Sequence, residues 1–398
     1  MKKWEIQGNL TLPQKSCHGI LRVAGDIIES IEEDGPVAPG DIWIVPGFID
    51  VHFHGLGPYG VTDLNSLRGI AAFAPSTGVT RFTPALAACS WENELDFLRN
   101  IRELVAHPEL GAICAGAHLE GPYLSLSNRG GMAERFLRIP NKKDVEELIR
   151  TAAGTLRMVT LAPEIENAEM AIRCFHEAGA TVSVGHTGCS PECFHHAVDA
   201  GVRHVCHLFD SFDPREVREG ITLFSLADAC LLDDRVTLEL IADGFHVPFP
   251  LLQLAVKVAS SKRIVIVTDA MQGTGLPDGR YRQESGEEYQ LNNDSICRAV
   301  EAPYEIVGSC LTMVKAFRNL VLKIGYAPET ASRILSENPA RVIALEDVTG
   351  RLIPGLSADI NLLSGTDYSL IECIIRGTRK FTDSKWCAKL RKNGLKSL

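Results

Sequence analysis

The chain has 398 residues, a net charge of −10 and a pI near 5.7; the length fits one barrel-sized domain plus a smaller one, and the acidic balance argues against nucleic acid or an anionic membrane as main partner. Its twelve cysteines are scattered with no Cys-x-x-Cys pair, which suits reduced, buried thiols and a cytoplasmic setting better than a disulfide framework. The start, Met1-Lys2-Lys3-Trp4, lacks the apolar core of a signal peptide, and no apolar stretch is long enough to span a bilayer, so a soluble protein is expected.

Residues 1–45 are short apolar runs broken by Gly, Pro and acidic residues, a texture of strands and tight turns that returns only in 350–398. The two ends are expected to pair as one small, discontinuous β-sandwich domain. Between them, 46–349 alternates apolar strand-like runs with helical stretches, which points to βα units and a parallel sheet. The runs 44–51, 79–84, 112–119, 156–162, 180–186, 203–208, 236–241 and 264–269 number eight, the count for a TIM-like (β/α)8 barrel. Of the helices between them, 90–106 has Ser90 as its cap and Trp91, Leu95, Leu98, Ile101 and Val105 as an apolar stripe. Ser190-Pro191-Glu192 opens another, with proline in the first helical position. The basic run from Lys385 to Lys396 reads as a solvated helix face.

Barrel enzymes carry their chemistry at the C-terminal ends of the strands, so each strand end is a test. The first ends in His52-Phe53-His54, whose alternate side chains share a face. The third ends in His118-Leu119-Glu120, where an unpaired buried carboxylate needs a cation or donors, and His118 is placed to orient ligands from behind. His186, His207 and Asp269 end the fifth, sixth and eighth runs. Imidazole and carboxylate donors without thiolate suit Zn, Fe, Mn or Co, with no choice among them. Such a metal lowers the pKa of bound water, and Asp269 is the natural acceptor of its proton. His246, in the loop after the seventh strand, is placed to polarise a substrate carbonyl.

With these residues assembled, the chain resembles the amidohydrolase superfamily and, within it, the N-acetylglucosamine-6-phosphate deacetylase family. The shared motifs are Pro46-Gly47-Phe48-Ile49-Asp50-Val51-His52-Phe53-His54-Gly55, His118-Leu119-Glu120-Gly121-Pro122, Gly185-His186-Thr187, His207-Leu208-Phe209, Asp243-Gly244-Phe245-His246, Thr268-Asp269-Ala270, Val307-Gly308-Ser309 and Asn338-Pro339-Ala340-Arg341. The resemblance implies that Glu120, His186 and His207 hold the main metal, with His52 and His54 able to hold a second and Asp269 completing the set, so one or two divalent ions per chain. The fourth run ends Leu161-Ala162-Pro163-Glu164 and so lacks the carboxylated lysine of many amidohydrolases; in this branch Glu120 takes its place. Arg218 matches the family's phosphate-clamping arginine, although Arg215-Glu216-Val217-Arg218-Glu219 also reads as an ordinary exposed charged run.

Two departures bear on the substrate. Asp210-Ser211-Phe212 stands where the family has Asn-Ala-Met, and Met132 stands where it has histidine; an aspartate beside a phosphate dianion repels it. The resulting expectation is deacetylation of an N-acetylated amino sugar, N-acetylglucosamine 6-phosphate first, with His246, Arg218, Asp210, Ser211, Met132 and Ser309 around it. A non-phosphorylated N-acyl sugar or another amide is the alternative, and a catalytically dead barrel serving as a binding protein is a third. The resemblance also implies a homodimer.

Overall fold

The apolar runs become parallel strands because both their faces are buried, the outer one under the helices that follow and the inner one against side chains of the other strands. The computed structural model describes residues 2–108, 111–212, 215–282, 288–292, 296–301 and 306–384; the basic stretch from Lys385 lies outside them. One seven-stranded parallel sheet runs in the order Ile264–Val267, Thr237–Ile241, Val202–Val205, Thr181–Val184, Leu156–Leu161, Ala117–Glu120, Ala85–Ala87. A three-stranded parallel sheet, Ile113–Cys114, Val79–Phe82 and Phe48–Asp50, continues it. Backbone bonds from Asp269 N to His52 O (2.9 Å) and from His54 N to Ala270 O (2.8 Å) bring the last strand's end against the first. The architecture is of the TIM-barrel type.

Three expected strands are each split, for local reasons: 44–51 divides at Gly47, where a Cβ would lie 2.2 Å from the Thr80 side chain, into Trp43–Pro46 and Phe48–Asp50. Pro84, which has no N–H to give to a ladder, separates Val79–Phe82 from Ala85–Ala87. Gly116, at φ 146°, separates Ile113–Cys114 from Ala117–Glu120; a Cβ there would lie 2.3 Å from the Thr155 carbonyl oxygen. The two halves therefore pair with different partners, the first with Val79–Phe82 and the second with Ala85–Ala87 and Leu156–Leu161.

The helix Trp91–Ala106 is capped by Ser90, whose Oγ accepts from Asn93 N at 3.3 Å, and it buries Leu95, Leu98 and Ile101 with Trp91 and Val105 at the edges. Pro191–Ala200 starts on Ser190 in the same way. Strands from both chain ends share one seven-stranded sheet in the order Thr378–Thr382, Leu370–Ile375, Ile360–Leu363, Trp43–Pro46, Lys3–Thr11, Ser16–Ala24, Ile27–Gly35. The strand Trp43–Pro46 leads directly into Phe48–Asp50, so this sheet anchors the strand that runs into His52 and His54. A four-stranded antiparallel sheet, Gly279–Arg282, Glu288–Leu291, Ile296–Ala299 and Ile306–Ser309, and a small hairpin, Val217–Arg218 with Ile221–Thr222, have no counterpart in the expected elements. Their strands are only two to four residues long and the hairpin is exposed, so neither period nor apolar runs mark them. Among the described residues no helix is long and apolar enough to cross a membrane.

Candidate metal and active site

The strand ends converge on one buried carboxylate. Glu120 Oε1 lies 2.9 Å from His207 Nε2, 3.0 Å from His186 Nε2 and 3.4 Å from His52 Nε2, while Oε2 lies 3.2 Å from His54 Nε2. Asp269 Oδ1 adds contacts of 3.2 Å to His54 Nε2 and 3.8 Å to His52 Nε2. Two of these residues sit in the left-handed backbone region, His186 at φ 50° and Asp269 at φ 49°. For a residue with a Cβ such a conformation costs roughly 1–3 kcal/mol and persists where its surroundings over-determine it. Around Asp269 they do: its N donates to His52 O and its O accepts from Ser309 N.

The outer nitrogens decide what the inner ones can be. Nδ1 of His186 donates to the Asn128 carbonyl (2.9 Å), that of His54 to Ala85 (3.0 Å), that of His207 to Asp210 (3.3 Å) and that of His52 to the Glu239 carboxylate (3.1 Å). With Nδ1 donating, a neutral ring turns the Nε2 lone pair toward the carboxylates, acceptor against acceptor. Protonating all four rings instead packs like charges together, since ring centroids of neighbouring pairs are 4.9 to 5.4 Å apart. A divalent cation among the Nε2 atoms resolves the conflict, and this outer-nitrogen pattern is what metal-binding histidines show. His52 Nε2 supports the same answer, being fully buried with no hydrogen bond. Two groups among the described residues bring metal-binding atoms within 4.8 Å of one another: His52, Glu120, Cys206 and His207, and His52, His54 and Asp269.

The electrostatics agree. Burial opposes ionisation of Glu120, but His52 and His186 outweigh it and hold the carboxyl well below the usual range. Burial likewise opposes a charged His54, yet Asp269 and Glu120 lift it to about 9. The field that favours those protons favours a cation. Behind the ring of ligands, burial and repulsion from His52 push His118 down to about 3; it is a neutral imidazole between the Val51 carbonyl (3.2 Å) and Thr160 Oγ1 (2.8 Å), so it supports the site from outside.

A cavity of about 300 Å³ opens above this cluster, with His54, Glu120, His186, His207 and Asp269 on its floor. His246 lines it too. Its Nδ1 is held 2.6 Å from Asp243 Oδ2, and Asp243 Oδ1 accepts from the Phe245 and His246 amides, so the loop clamps one tautomer and leaves Nε2 for a ligand. Burial opposes protonation of His246, and the bond to Asp243 more than offsets it. The walls include Met132, Phe136, Met271, Tyr289 and Val307, and among the described residues no lysine or arginine lines the cavity.

Of the expected substrate-contacting residues, Met132, Asp210, Ser211 and His246 line the cavity. Two do not. Arg218 stands on the exposed hairpin with its side chain 68 % accessible, paired to Glu216 at 3.0 Å, and takes no part in the cavity of its own chain. Ser309 is fully buried and its hydroxyl donates to the Thr268 carbonyl, so it braces the Asp269 turn instead of facing a ligand. Three buried polar residues have no place in the sequence reading: Cys206, His204 and Glu239. Glu239 reaches His52 Nδ1, His204 Nε2 (2.9 Å) and the His207 amide (3.2 Å). Its signal was present as an acid inside the apolar strand Thr237–Ile241, which only a buried donor network makes tolerable.

The amidohydrolase family model matches residues 43–388. The N-acetylgalactosamine-6-phosphate deacetylase of Escherichia coli O157:H7 is 33 % identical over 344 residues, covering 85 % of this chain and 89 % of that one. The N-acetylglucosamine-6-phosphate deacetylase of Bos taurus is 32 % identical over 372 residues, covering 90 % and 87 %. Among solved structures, N-acetylglucosamine-6-phosphate deacetylase from Mycobacterium smegmatis, as a mutant in complex with N-acetyl-D-glucosamine 6-phosphate, superposes with a TM-score of 0.87 at 28 % identity over 96 % of this chain and 100 % of that one.

Proposed function

The chain belongs to the amidohydrolase family and, within it, to the N-acetylglucosamine-6-phosphate deacetylase family, and from that premise we propose that it removes the acetyl group of an N-acetylated hexosamine 6-phosphate, releasing acetate and the free amine. The observation that carries this reading is the set of imidazoles whose outer nitrogens are all committed, aimed at Glu120 beneath a cavity large enough for a small substrate. Glu120, His186 and His207 would hold the main ion, and His52, His54 and Asp269 a second. Zn, Fe, Mn and Co all suit these donors. Such an ion supplies Lewis acidity and a lowered pKa for bound water.

The chain's own groups do the rest. Asp269, on the cavity floor, takes the proton of the attacking water and delivers it to the departing amine. His246 Nε2 stands over the cavity to stabilise charge that develops on the acetyl oxygen. Met132 and Ser211 line the sugar's side of the site.

The scaffold reading is a TIM-like (β/α)8 barrel over 46–349 with a small β domain from 1–45 and 350–398; the two parallel sheets and the shared terminal sheet support it. A homodimer is supported by an exposed apolar patch in which Val217, Ile221 and Phe224 of the hairpin stand out with Leu232, Leu254 and Val258. In a dimer Arg218 could meet a phosphate only across that interface. A cytoplasmic setting accords with free cysteines throughout the described residues.

A second reading is favoured by one observation. Asp210 puts a carboxylate on the cavity wall while no lysine or arginine among the described residues lines it, which suits a non-phosphorylated N-acyl sugar or another amide better than a dianion. Acetate release by metal-loaded protein from N-acetylglucosamine 6-phosphate, N-acetylgalactosamine 6-phosphate and N-acetylglucosamine separates the readings. Preference for a phosphosugar is expected; turnover confined to the unphosphorylated sugar would move the second reading to first place. No turnover of any of the three by metal-loaded protein would favour the dead-barrel reading.

A further inference from the structure

Cys206 lies one residue before His207 at the end of the strand Val202–Val205, fully buried among ionisable groups instead of among hydrocarbon. Its Sγ is 3.5 Å from His52 Nδ1 and 3.8 Å from Glu120 Oε1. Zinc–sulfur bonds of about 2.3 Å and zinc–nitrogen or zinc–oxygen bonds of about 2.0–2.2 Å, in a tetrahedron, set sulfur roughly 3.5 to 3.6 Å from the other donors. The Glu120 contact is close to that length. His207 Nε2, which shares Glu120 Oε1 at 2.9 Å, supplies an imidazole, and His52 Nε2 points into the same space with no hydrogen bond. The four residues bring their ligand-capable atoms within 4.8 Å of one another, all of them buried. Room for the thiol is made by Gly185, where a Cβ would come within 2.6 Å of the Cys206 Cβ.

We propose that Cys206 is a sulfur ligand of the main ion, beside Glu120 and His207, making a site that selects a thiophilic divalent ion, zinc above all, over manganese or magnesium. The inference rests on the metal reading given above and deepens it. A carboxylate and imidazoles alone leave the choice of metal open; one thiolate narrows it toward the softer ions. On binding, the thiol proton leaves to solvent or to a neighbouring base and the sulfur–metal bond replaces it. The position also explains why a buried cysteine stands among charges where an alanine or threonine would pack more simply.

The test is made on full-length protein stripped of metal and reloaded. Zinc K-edge X-ray absorption of the wild type should show a sulfur scatterer at about 2.3 Å beside the nitrogen and oxygen shell. The cobalt-loaded protein should show a thiolate-to-metal charge-transfer band in the near ultraviolet. Cys206→Ser should lose that band while keeping cobalt's visible transitions, and its preference for zinc over manganese, read by competition, should fall at least tenfold. Stoichiometric zinc with a shell of nitrogen and oxygen only would overturn the role of Cys206 and leave the metal reading standing. Retention of the band in Cys206→Ser would do the same, because another cysteine would then be its source. Failure of the wild type to bind any of these ions would sink both.

Discussion

At the scale of single residues the site depends on Asp269, whose strained backbone is locked between His52 and Ser309 while its carboxylate touches His54. Asp269→Asn keeps the shape and the bracing backbone bonds and removes the basic oxygen. Turnover should fall by about 10²–10⁴-fold, the usual size of a general acid–base contribution, while the ion assigned to Glu120, His186 and His207 is retained by mass spectrometry. A near-normal rate would end the assignment. Asp210 is the residue that speaks to the substrate's distal group. Its carboxylate is 40 % accessible and 3.9 Å from His207 Nδ1, so it affects a ligand's charge without being committed to the metal. At about 4 Å in water a unit charge pair is worth roughly 1 kcal/mol. Asp210→Asn should therefore raise kcat/KM for a phosphosugar severalfold relative to the neutral sugar; an unchanged ratio would remove Asp210 from selectivity.

At the scale of elements, the helix Trp91–Ala106 carries an acid on the face that it buries. Glu94 is 1 % exposed, neither carboxyl oxygen has a hydrogen-bond partner, and burial raises its pKa to about 8 despite Arg138 nearby. The folded protein thus holds a proton that the unfolded chain releases near pH 4.5. The stabilisation is complete below that pH and drains away as pH climbs toward 8, by on the order of 4 kcal/mol over the window. Glu94→Gln mimics the protonated form and should match the wild type near pH 4.5 and exceed it in Tm at pH 8; parallel Tm curves would show that Glu94 finds a partner when charged. The same helix shows why much of the fold was legible: its Ser90 cap and apolar stripe are local, and the packing surface they imply is the one observed. The strand ends were legible for a related reason, since an ionisable residue closing an apolar run is conspicuous. Glu239 left only the trace of an acid inside an apolar strand, and His204 and Cys206 left none, because the partners of all three come from other strands and no spacing reveals them. Ser309 and Arg218 show the opposite case, their motifs matching while their side chains face a backbone carbonyl and the solvent instead of the cavity of their own chain. The antiparallel sheet that brings Tyr289 and Val307 to the cavity wall is built from four-residue strands, too short for a period to announce them.

At the scale of the whole molecule, the parallel strands bring the candidate metal ligands within side-chain reach of one another, while the cavity walls come from loops and the antiparallel sheet, with the hairpin beyond the sixth strand standing outside them. That division places Arg218 outside its own chain's cavity and beside the largest exposed apolar residues of the hairpin, Val217 at 63 % and Ile221 at 65 %. Phe224, Leu232, Leu254 and Val258 line a groove at its foot. Isolated exposed apolar residues are ordinary, but a set gathered on a hairpin and two helices is the kind of surface a partner covers, and we propose a second copy of this chain. A symmetric pair would cover the patch on both copies with one contact. Ile221→Glu with Phe224→Glu should then shift the mass by light scattering from twice 43.4 kDa to 43.4 kDa, without changing metal content, because neither residue approaches the ligands. If Arg218 serves a partner's substrate phosphate, the same variant should raise KM for a phosphosugar at least tenfold while leaving turnover of a neutral N-acyl sugar in place, and Arg218→Ala in an intact dimer should reproduce the KM effect alone. A variant that stays dimeric would move the interface elsewhere; one that becomes monomeric with unchanged KM would leave the hairpin as assembly surface only and return phosphate recognition to the cavity itself.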